Sequence, residues 1–446
     1  MQGTSENYGQ YAYSAPGADT AAPVAEQPPA RTRPRKKTAR ERRAAETKRR
    51  VGLDLPFMVL VIVILAVGVI MVLSASYASC YYKGISPTIY FKKQLFFAVG
   101  GIVVMYVISR IKVSWIWRLS PVMMVIAIVL LVAVLFIGIE SHGAKRWLGV
   151  SETFSFQPSE IVKPAIVMYF AYRMTVYQKK MNDWRQGILP YVIILGIVIL
   201  LLAQEPHYSC AIIVASVGGV MMIAGGSNWK FLLAVVVLGA TVAVVYVLKI
   251  KSTMALGKEA IYSMRYASAR IVAWLDPYFD PKDIGFQIIQ SLYAVGSGGF
   301  LGLGLGQSRQ KFMYLPEEHN DFIFSVVCEE LGFLGAMLIL VLFALLILRG
   351  FWLALNARDR FGSLVITGLI SLLAIQVFLN VAVVVNLVPC TGISLPFFSY
   401  GGTALLIQLA EMGVILSISR EIPLKDPVQD KVPEKVKTEK TVMAEG

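Results

Sequence analysis

The chain has 446 residues, 56% of them hydrophobic and 16% charged, with a mean hydropathy of +0.64, far above what a water-facing surface tolerates. Repeated apolar runs of about 20 residues, each able to cross a hydrocarbon core of roughly 30 Å, exclude a soluble protein and a single-anchor one; strict alternation, which a β-barrel would need, is missing. The net charge of +14 does not imply nucleic acid, because much of the excess sits in one N-terminal tail and in short connections, the pattern that sets membrane orientation.

Residues 1–53 open with a stretch rich in Ala, Pro, Gly, Ser and Tyr and continue through a basic run from Arg31 to Arg50. This predicts a disordered cytoplasmic tail whose cations hold the N-terminus inside. No small-residue cleavage site precedes the first apolar run, so that run is expected to be a permanent helix. Apolar runs then follow at about 55–76, 94–110, 120–139, 157–175, 188–203, 208–224, 231–249, 321–348, 363–387 and 397–418, which predicts an all-α membrane domain of about ten spans over residues 54–420. An even count puts both ends on one side, and Lys112, Arg118, Lys179, Lys180, Arg185, Arg349, Arg358 and Arg360 fall in that side's connections. The positive-inside rule makes it the cytoplasmic side. Residues 421–446, charged and Pro-containing, read as a second disordered tail.

On the opposite side, residues 249–320 form a connection of about 70 residues, and loops beyond about 15 residues are uncommon unless functional. It carries amphipathic helical stretches, turns at Asp276-Pro277 and Asp280-Pro281, and many glycines. The glycine-dense stretch Gly296 to Gly306 lacks the preceding strand and following Lys-Ser or Lys-Thr of a nucleotide loop, and predicts close backbone packing or a re-entrant segment. Cys80, Cys210, Cys328 and Cys390 show no CxxC spacing and no His at ligand distance, so no metal site or disulfide framework is expected.

Ionisable residues inside apolar runs cost about 2.5–3.5 kcal/mol on insertion scales and are functional candidates by default. Glu160 and Lys163 lie three apart on one helix face and can neutralise each other. Glu329, Glu330 and Glu411 are expected to pair between helices and fix the bundle. Asp321, in LPEEHNDFIF, is placed at the first turn of the eighth run, facing outer water. Its blander account is a helix-start acid worth about 0.3–1 kcal/mol. Against that stands its neighbourhood of Glu317, Glu318 and His319, in a loop that also carries Arg265, Arg270, Lys282, Arg309 and Lys311. Lys145 and Arg146, between the third and fourth runs, oppose the positive-inside trend and suggest an anionic ligand or a headgroup contact.

The runs FQPSEIVKPAIV from Phe156, GFQIIQSLYAVGSGGFLGLGLGQSRQKFMYLPEEHNDFIF from Gly285, EELG from Glu329 and PFFSYGGTALL from Pro396 closely resemble the SEDS family of cell-division, elongation and sporulation proteins. The resemblance covers nearly all of the chain from the first run to Arg420 and looks more like the division member than the elongation member. It implies a ten-span peptidoglycan glycosyltransferase that polymerises lipid II on the outer face. The implied partners are a class B penicillin-binding protein as transpeptidase and other membrane proteins of the division machinery. It implies Asp321 as the essential catalytic carboxylate and places Glu160 and Lys163 among the functional polar residues. Where many members carry an acid after Gln-Pro or Glu-Pro at the outer turn between the fifth and sixth spans, this chain has Glu205-Pro206-His207. An acid's role there has passed to Glu205 or His207, or is lost.

Joining two lipid-linked sugars needs a base for the attacking hydroxyl and positive charge for the departing diphosphate. Asp321 is the candidate base. Arg265, Arg270, Lys145 and Arg146 are candidates for the cationic clamp, with Lys163 or a divalent cation as alternatives, and Lys311, His319 and Glu160 complete the substrate-binding candidates. A single displacement would invert the anomeric centre. Two other classes fit the composition: a flippase that carries lipid II through a polar path, and a non-enzymatic scaffold for division partners.

Overall fold

The computed structural model describes residues 52–141, 144–151, 154–262, 266–312 and 314–422. The two predicted tails, apart from a few residues at their inner edges, and Arg265 lie outside the described residues.

Each of the ten apolar runs becomes a helix: α1 (Leu55–Tyr82), α2 (Ile89–Arg110), α3 (Val113–Ile137), α4 (Pro158–Val176), α5 (Leu189–Gln204), α6 (Tyr208–Ala224), α7 (Trp229–Met254), then, after three short helices, α11 (Ile323–Leu355), α12 (Arg360–Val384) and α13 (Gly402–Ser419). Eight of the described helices are long and apolar enough to cross a membrane; α6 is shorter, and α4 carries Glu160, Lys163 and Arg173. The three short helices are α8 (Lys258–Tyr262), α9 (Tyr266–Leu275) and α10 (Phe286–Ser297), in the long connection where amphipathic stretches are predicted.

Burial is uneven. In α12 and α13, 67% of the most apolar window is buried within the chain, whereas none of it is in α7. The central helix α12 packs on α4, α6, α11 and α13, which is why its apolar residues run all round it rather than along one stripe.

One element departs from the all-helical expectation. Between α3 and α4 lie three antiparallel strands, β1 (Ile139–Ser141), β2 (Ala144–Ser151) and β3 (Phe154–Phe156), in the order β1-β2-β3. Glu140 stands opposite Lys145 across the first pair. Strands of three residues are too short to announce themselves by alternation.

The helix α11 is broken at Gly332, whose φ of 67° and ψ of −170° belong to no helix. The glycine-dense loop enters the break. Phe333 N–H donates to Gly299 O (2.9 Å) and Leu334 N–H to Phe300 O (3.1 Å), while Leu303 N–H and Gly304 N–H donate to Glu329 O and Glu330 O (both 3.0 Å). Backbone groups lost to the helix are thus repaired by the loop, as burial requires. A Cβ at Gly332 would stand 2.2 Å from Gly302 N, so the close packing expected of this loop needs glycine on both sides.

The two ends of the bundle are closed differently. At one end Arg349 bonds Asp54 through Nε (3.1 Å) and Nη2 (2.6 Å), Asp54 caps α1 by accepting from Phe57 N–H, Ser417 reaches Ile111 O, and Arg360 reaches Gly225 O. At the other end, where Asp321 lies, irregular segments are tied to one another.

Candidate functional site

Asp321 does not sit in the first turn of a helix. The chain turns tightly from Glu317, with Asn320 N–H (3.1 Å) and Phe322 N–H (3.3 Å) both donating to Glu317 O, and the helix starts at Ile323. The reason is that His319 O, which would have served the first helical turn, instead accepts Tyr400 N–H at 2.9 Å. Asp321 thus lies just ahead of the N-cap Phe322 and outside the first helical turn.

Three segments distant in sequence meet at Asp321. The loop after α12 brings Gly392, with φ +68°, so close that a Cβ there would lie 3.0 Å from Asp321 Oδ2 and 3.7 Å from Arg270 Nη1. Arg270 belongs to α9, and its guanidinium donates to Cys390 O at 3.2 Å. The same helix is fastened to that loop by Trp274 Nε1 to Leu387 O (3.2 Å) and Asn386 Nδ2 to Trp274 O (3.4 Å). A carboxylate and a guanidinium thus both approach the bare face of one glycine, where any side chain would crowd the carboxylate. Ser209, at the start of α6, donates to Thr391 O in the same loop. Beside Arg270 and Asp321, burial pushes the Cys390 thiol above its ordinary pKa, so it stays a neutral thiol.

His319, Tyr90 and Tyr400 form a triangle of touching rings, with His319 tilted against Tyr90 (centroids 4.7 Å apart) and Tyr400 (6.0 Å) and its Nδ1 3.4 Å from Glu318 Oε1. It braces the loop. Glu160 and Lys163 form a 2.7 Å ion pair with both side chains buried, as the spacing predicts. Lys163 and Glu411 are both buried, in α4 and α13.

The remaining predicted cations separate. Lys311 is 3% exposed and spent on Glu330 (2.8 Å) and Ser74 (3.4 Å), so it belongs to the helix break and is withdrawn from the substrate candidates. The reason is that Glu329 and Glu330, at 0% and 1% exposure, must be satisfied inside the bundle. Glu329 accepts from Ser308 Oγ, Arg309 N–H and Gln310 N–H, and Glu330 from Ser74 Oγ. Lys145 is exposed on β2. Arg146 reaches the turn between α5 and α6, donating to Glu205 O (3.1 Å) and Pro206 O (2.6 Å).

In that turn the Glu205 carboxyl is buried, both oxygens have no hydrogen-bond partner, and burial, only partly opposed by Arg146, pushes its pKa up to about 7. His207 lies beside Gln157 (3.4 Å) and is held neutral, its pKa driven down to about 3 by burial and then by Arg146 and Lys163. At neutral pH the titrating member of this turn is therefore Glu205.

A cavity of about 800 Å³ lies between α2, α3, α4, α12 and α13, lined by Ile108, Trp115, Leu119, Met123, Leu369 and Val414, with Arg110 and Lys112 at the end opposite Asp321. Its apolar walls suit a hydrocarbon chain, not a sugar. Asn380, Ser399 and Gly392, which hold or flank Asp321, carry no charge and drew no attention in the sequence. The only signal was the PFFSYGG run itself.

Residues 55–423 match the family model FtsW/RodA/SpoVE, described as cell cycle protein. The chain is 40% identical over 377 residues to the stage V sporulation protein E of Bacillus subtilis, covering 84% of this chain and 99% of the relative. It is 38% identical over 371 residues to a probable peptidoglycan glycosyltransferase FtsW of Geobacter sp. strain M18, covering 82% and 97%. Among solved structures it is similar to a chain of a peptidoglycan synthase complex that coordinates polymerization and crosslinking, with a TM-score of 0.67, 27% identity, and 83% and 98% of the two chains covered. The rod shape determining protein RodA of Thermus thermophilus shares the fold at a TM-score of 0.61 and 24% identity, over 84% of this chain and 99% of RodA.

Proposed function

The chain belongs to the FtsW, RodA and SpoVE family of cell cycle proteins, and from that premise we propose that it is a peptidoglycan glycosyltransferase polymerising lipid II at the outer face of the cytoplasmic membrane during cell division. The observation that carries the reading is that the Asp321 carboxylate and the Arg270 guanidinium both lie against Gly392. In this reading a sugar hydroxyl of the acceptor gives its proton to Asp321 as its oxygen bonds to the anomeric carbon of the donor. The bond from that carbon to the lipid diphosphate breaks, its electron pair leaves with the diphosphate, and Arg270 offsets the negative charge that develops. Attack from the face opposite the leaving group inverts the centre. The Asp321 end of the bundle then faces outward and both termini lie in the cytoplasm, in keeping with Arg349, Arg358 and Arg360 near the other end.

Similarity to a chain of a peptidoglycan synthase complex supports a transpeptidase partner of the class B penicillin-binding type. Identity to a sporulation protein is as high as to FtsW relatives, and this favours a second reading: the same chemistry in spore formation. The deciding experiment offers lipid II on the outer leaflet of vesicles holding the purified chain with its partner. Glycan strands on a gel are the expected result. Transfer of lipid II between leaflets without strands would replace the enzyme by a flippase, and neither activity would leave a scaffold. Cysteine labelling from outside should reach the 249–320 connection and spare both tails.

A further inference from the structure

Three successive backbone carbonyls ahead of α11 are each held by a donor from elsewhere in the chain. His319 O accepts Tyr400 N–H (2.9 Å), Asn320 O accepts Ser399 Oγ (2.8 Å), and Asp321 O accepts Asn380 Nδ2 (2.8 Å). Asn380 lies one turn before the end of α12, is fully buried, and its second N–H reaches Ile393 O at 2.7 Å. Both groups in reach are carbonyls, so only the amide nitrogen can satisfy them.

Ile393 follows the residue that packs against the Asp321 carboxylate and Arg270, and the same loop presents Cys390 O to Arg270. One amide therefore joins the backbone of the acid to the loop that seats the guanidinium. A polar side chain in a span ordinarily bonds a neighbouring helix. Here both bonds go to irregular backbone at the site, where they fix a separation and pair no helices.

We propose that Asn380 is a positioning residue for Asp321: its two N–H groups set the register of residues 319–321 against residues 390–393, and so the distance between the Asp321 carboxylate and the Arg270 guanidinium. Ser399 is the auxiliary tie, since its hydroxyl also accepts Leu395 N–H at 2.7 Å and fixes the loop that carries it. The catalytic consequence rests on the reading of Asp321 as general base; the clamp itself does not. A misplacement of about 1 Å at a reacting group costs on the order of 10²-fold in rate, which sets the scale expected when the clamp is lost.

The test uses the purified full chain with Asn380→Asp, which keeps the size and removes both donors, and Asn380→Ser, which keeps a single donor on a shorter side chain. Hydrogen exchange of the intact protein reads the clamp, and polymerisation of lipid II reads its consequence. For Asn380→Asp the amides of 319–323 and 392–395 should exchange at least about tenfold faster while the spans keep their protection. The kcat for lipid II should fall about 10- to 100-fold with KM within about threefold, and Asn380→Ser should lie between Asn380→Asp and the parent chain on both readouts. Unchanged exchange in the two windows would overturn the clamp, and faster exchange there with an unchanged kcat would overturn its role in positioning. Protection lost throughout the bundle would make Asn380 a general structural residue and also overturn the proposal. If Asn380→Asp does not fold, Asn380→Ser decides by the same two measurements. Should the parent chain itself not polymerise, the reading of Asp321 falls while exchange still judges the clamp.

Discussion

Asp321, just ahead of α11, and the pair Glu329 and Glu330, inside it, stand only eight and nine residues apart, yet their surroundings are opposite. The pair is saturated: Lys311, Ser74, Ser308 and the N–H groups of Arg309 and Gln310 all serve it, and it has no surface left to offer a substrate. At Asp321 the tie from Asn380 falls on the backbone carbonyl, and the carboxylate is half-buried at a rim beside Gly392 and Arg270. Two carboxylates buried among the donors of the glycine-dense loop build the helix break, whereas the segment that carries Asp321 is tied through its backbone.

The largest effect should come from Asp321→Asn. Losing a general base typically removes about 10²- to 10⁴-fold in rate, and lipid II polymerisation should fall to near background while the thermal midpoint stays within a few degrees. Near-normal polymerisation would erase the contrast between the two sites. Repeating the assay with and without added divalent cation separates a base from a cation ligand, since only a ligand's loss would be partly offset by more metal.

Lys311→Met should act the other way round, on folding. It strands the Glu330 carboxylate, and breaking a buried pair costs about 3–5 kcal/mol, read as a lowered thermal midpoint and folded yield in detergent. Adding Glu330→Gln should recover most of the loss, and turnover per folded molecule should change little. A variant that folded normally but lost turnover would move Lys311 back into the site.

Gly332→Ala sharpens the account of the break. The positive φ alone costs about 1–3 kcal/mol for a residue with a Cβ, and contact with Gly302 N at 2.2 Å adds to it. The midpoint should fall, with faster exchange at Leu303 and Gly304.

The smallest effect is a pH dependence. The Glu205 pKa rises from 4.5 to about 7 on folding, so the folded state holds its proton more tightly than the unfolded one. That stabilising contribution is complete below about pH 4.5 and is lost as the pH climbs through 7. Relative to Glu205→Gln, the parent chain should lose about 1–3 kcal/mol over that window, measured as the difference in thermal midpoint against pH. Parallel curves would mean that Glu205 is solvated or paired in solution.

The ten helices were legible because each needs only its own run of apolar residues, and lipid penalises any backbone that does not close its hydrogen bonds locally. The Glu160 and Lys163 pair was equally legible, since three residues along a helix fix a face. The strands between α3 and α4 were not, because their pairing is short, and neither was the withdrawal of Lys311, which depends on where a glycine loop enters another helix. Asp321 could be named from its motif, but its partners could not. Arg270 lies on a peripheral helix, Gly392 in a turn and Asn380 inside a span, and no periodicity links them. The sequence by itself determined what is local: which segments cross apolar surroundings, and which charged side chains must find partners. Only the tertiary structure decided which partner each one found, because a hydrogen bond to a backbone carbonyl leaves almost no trace in the identity of the residue that accepts it.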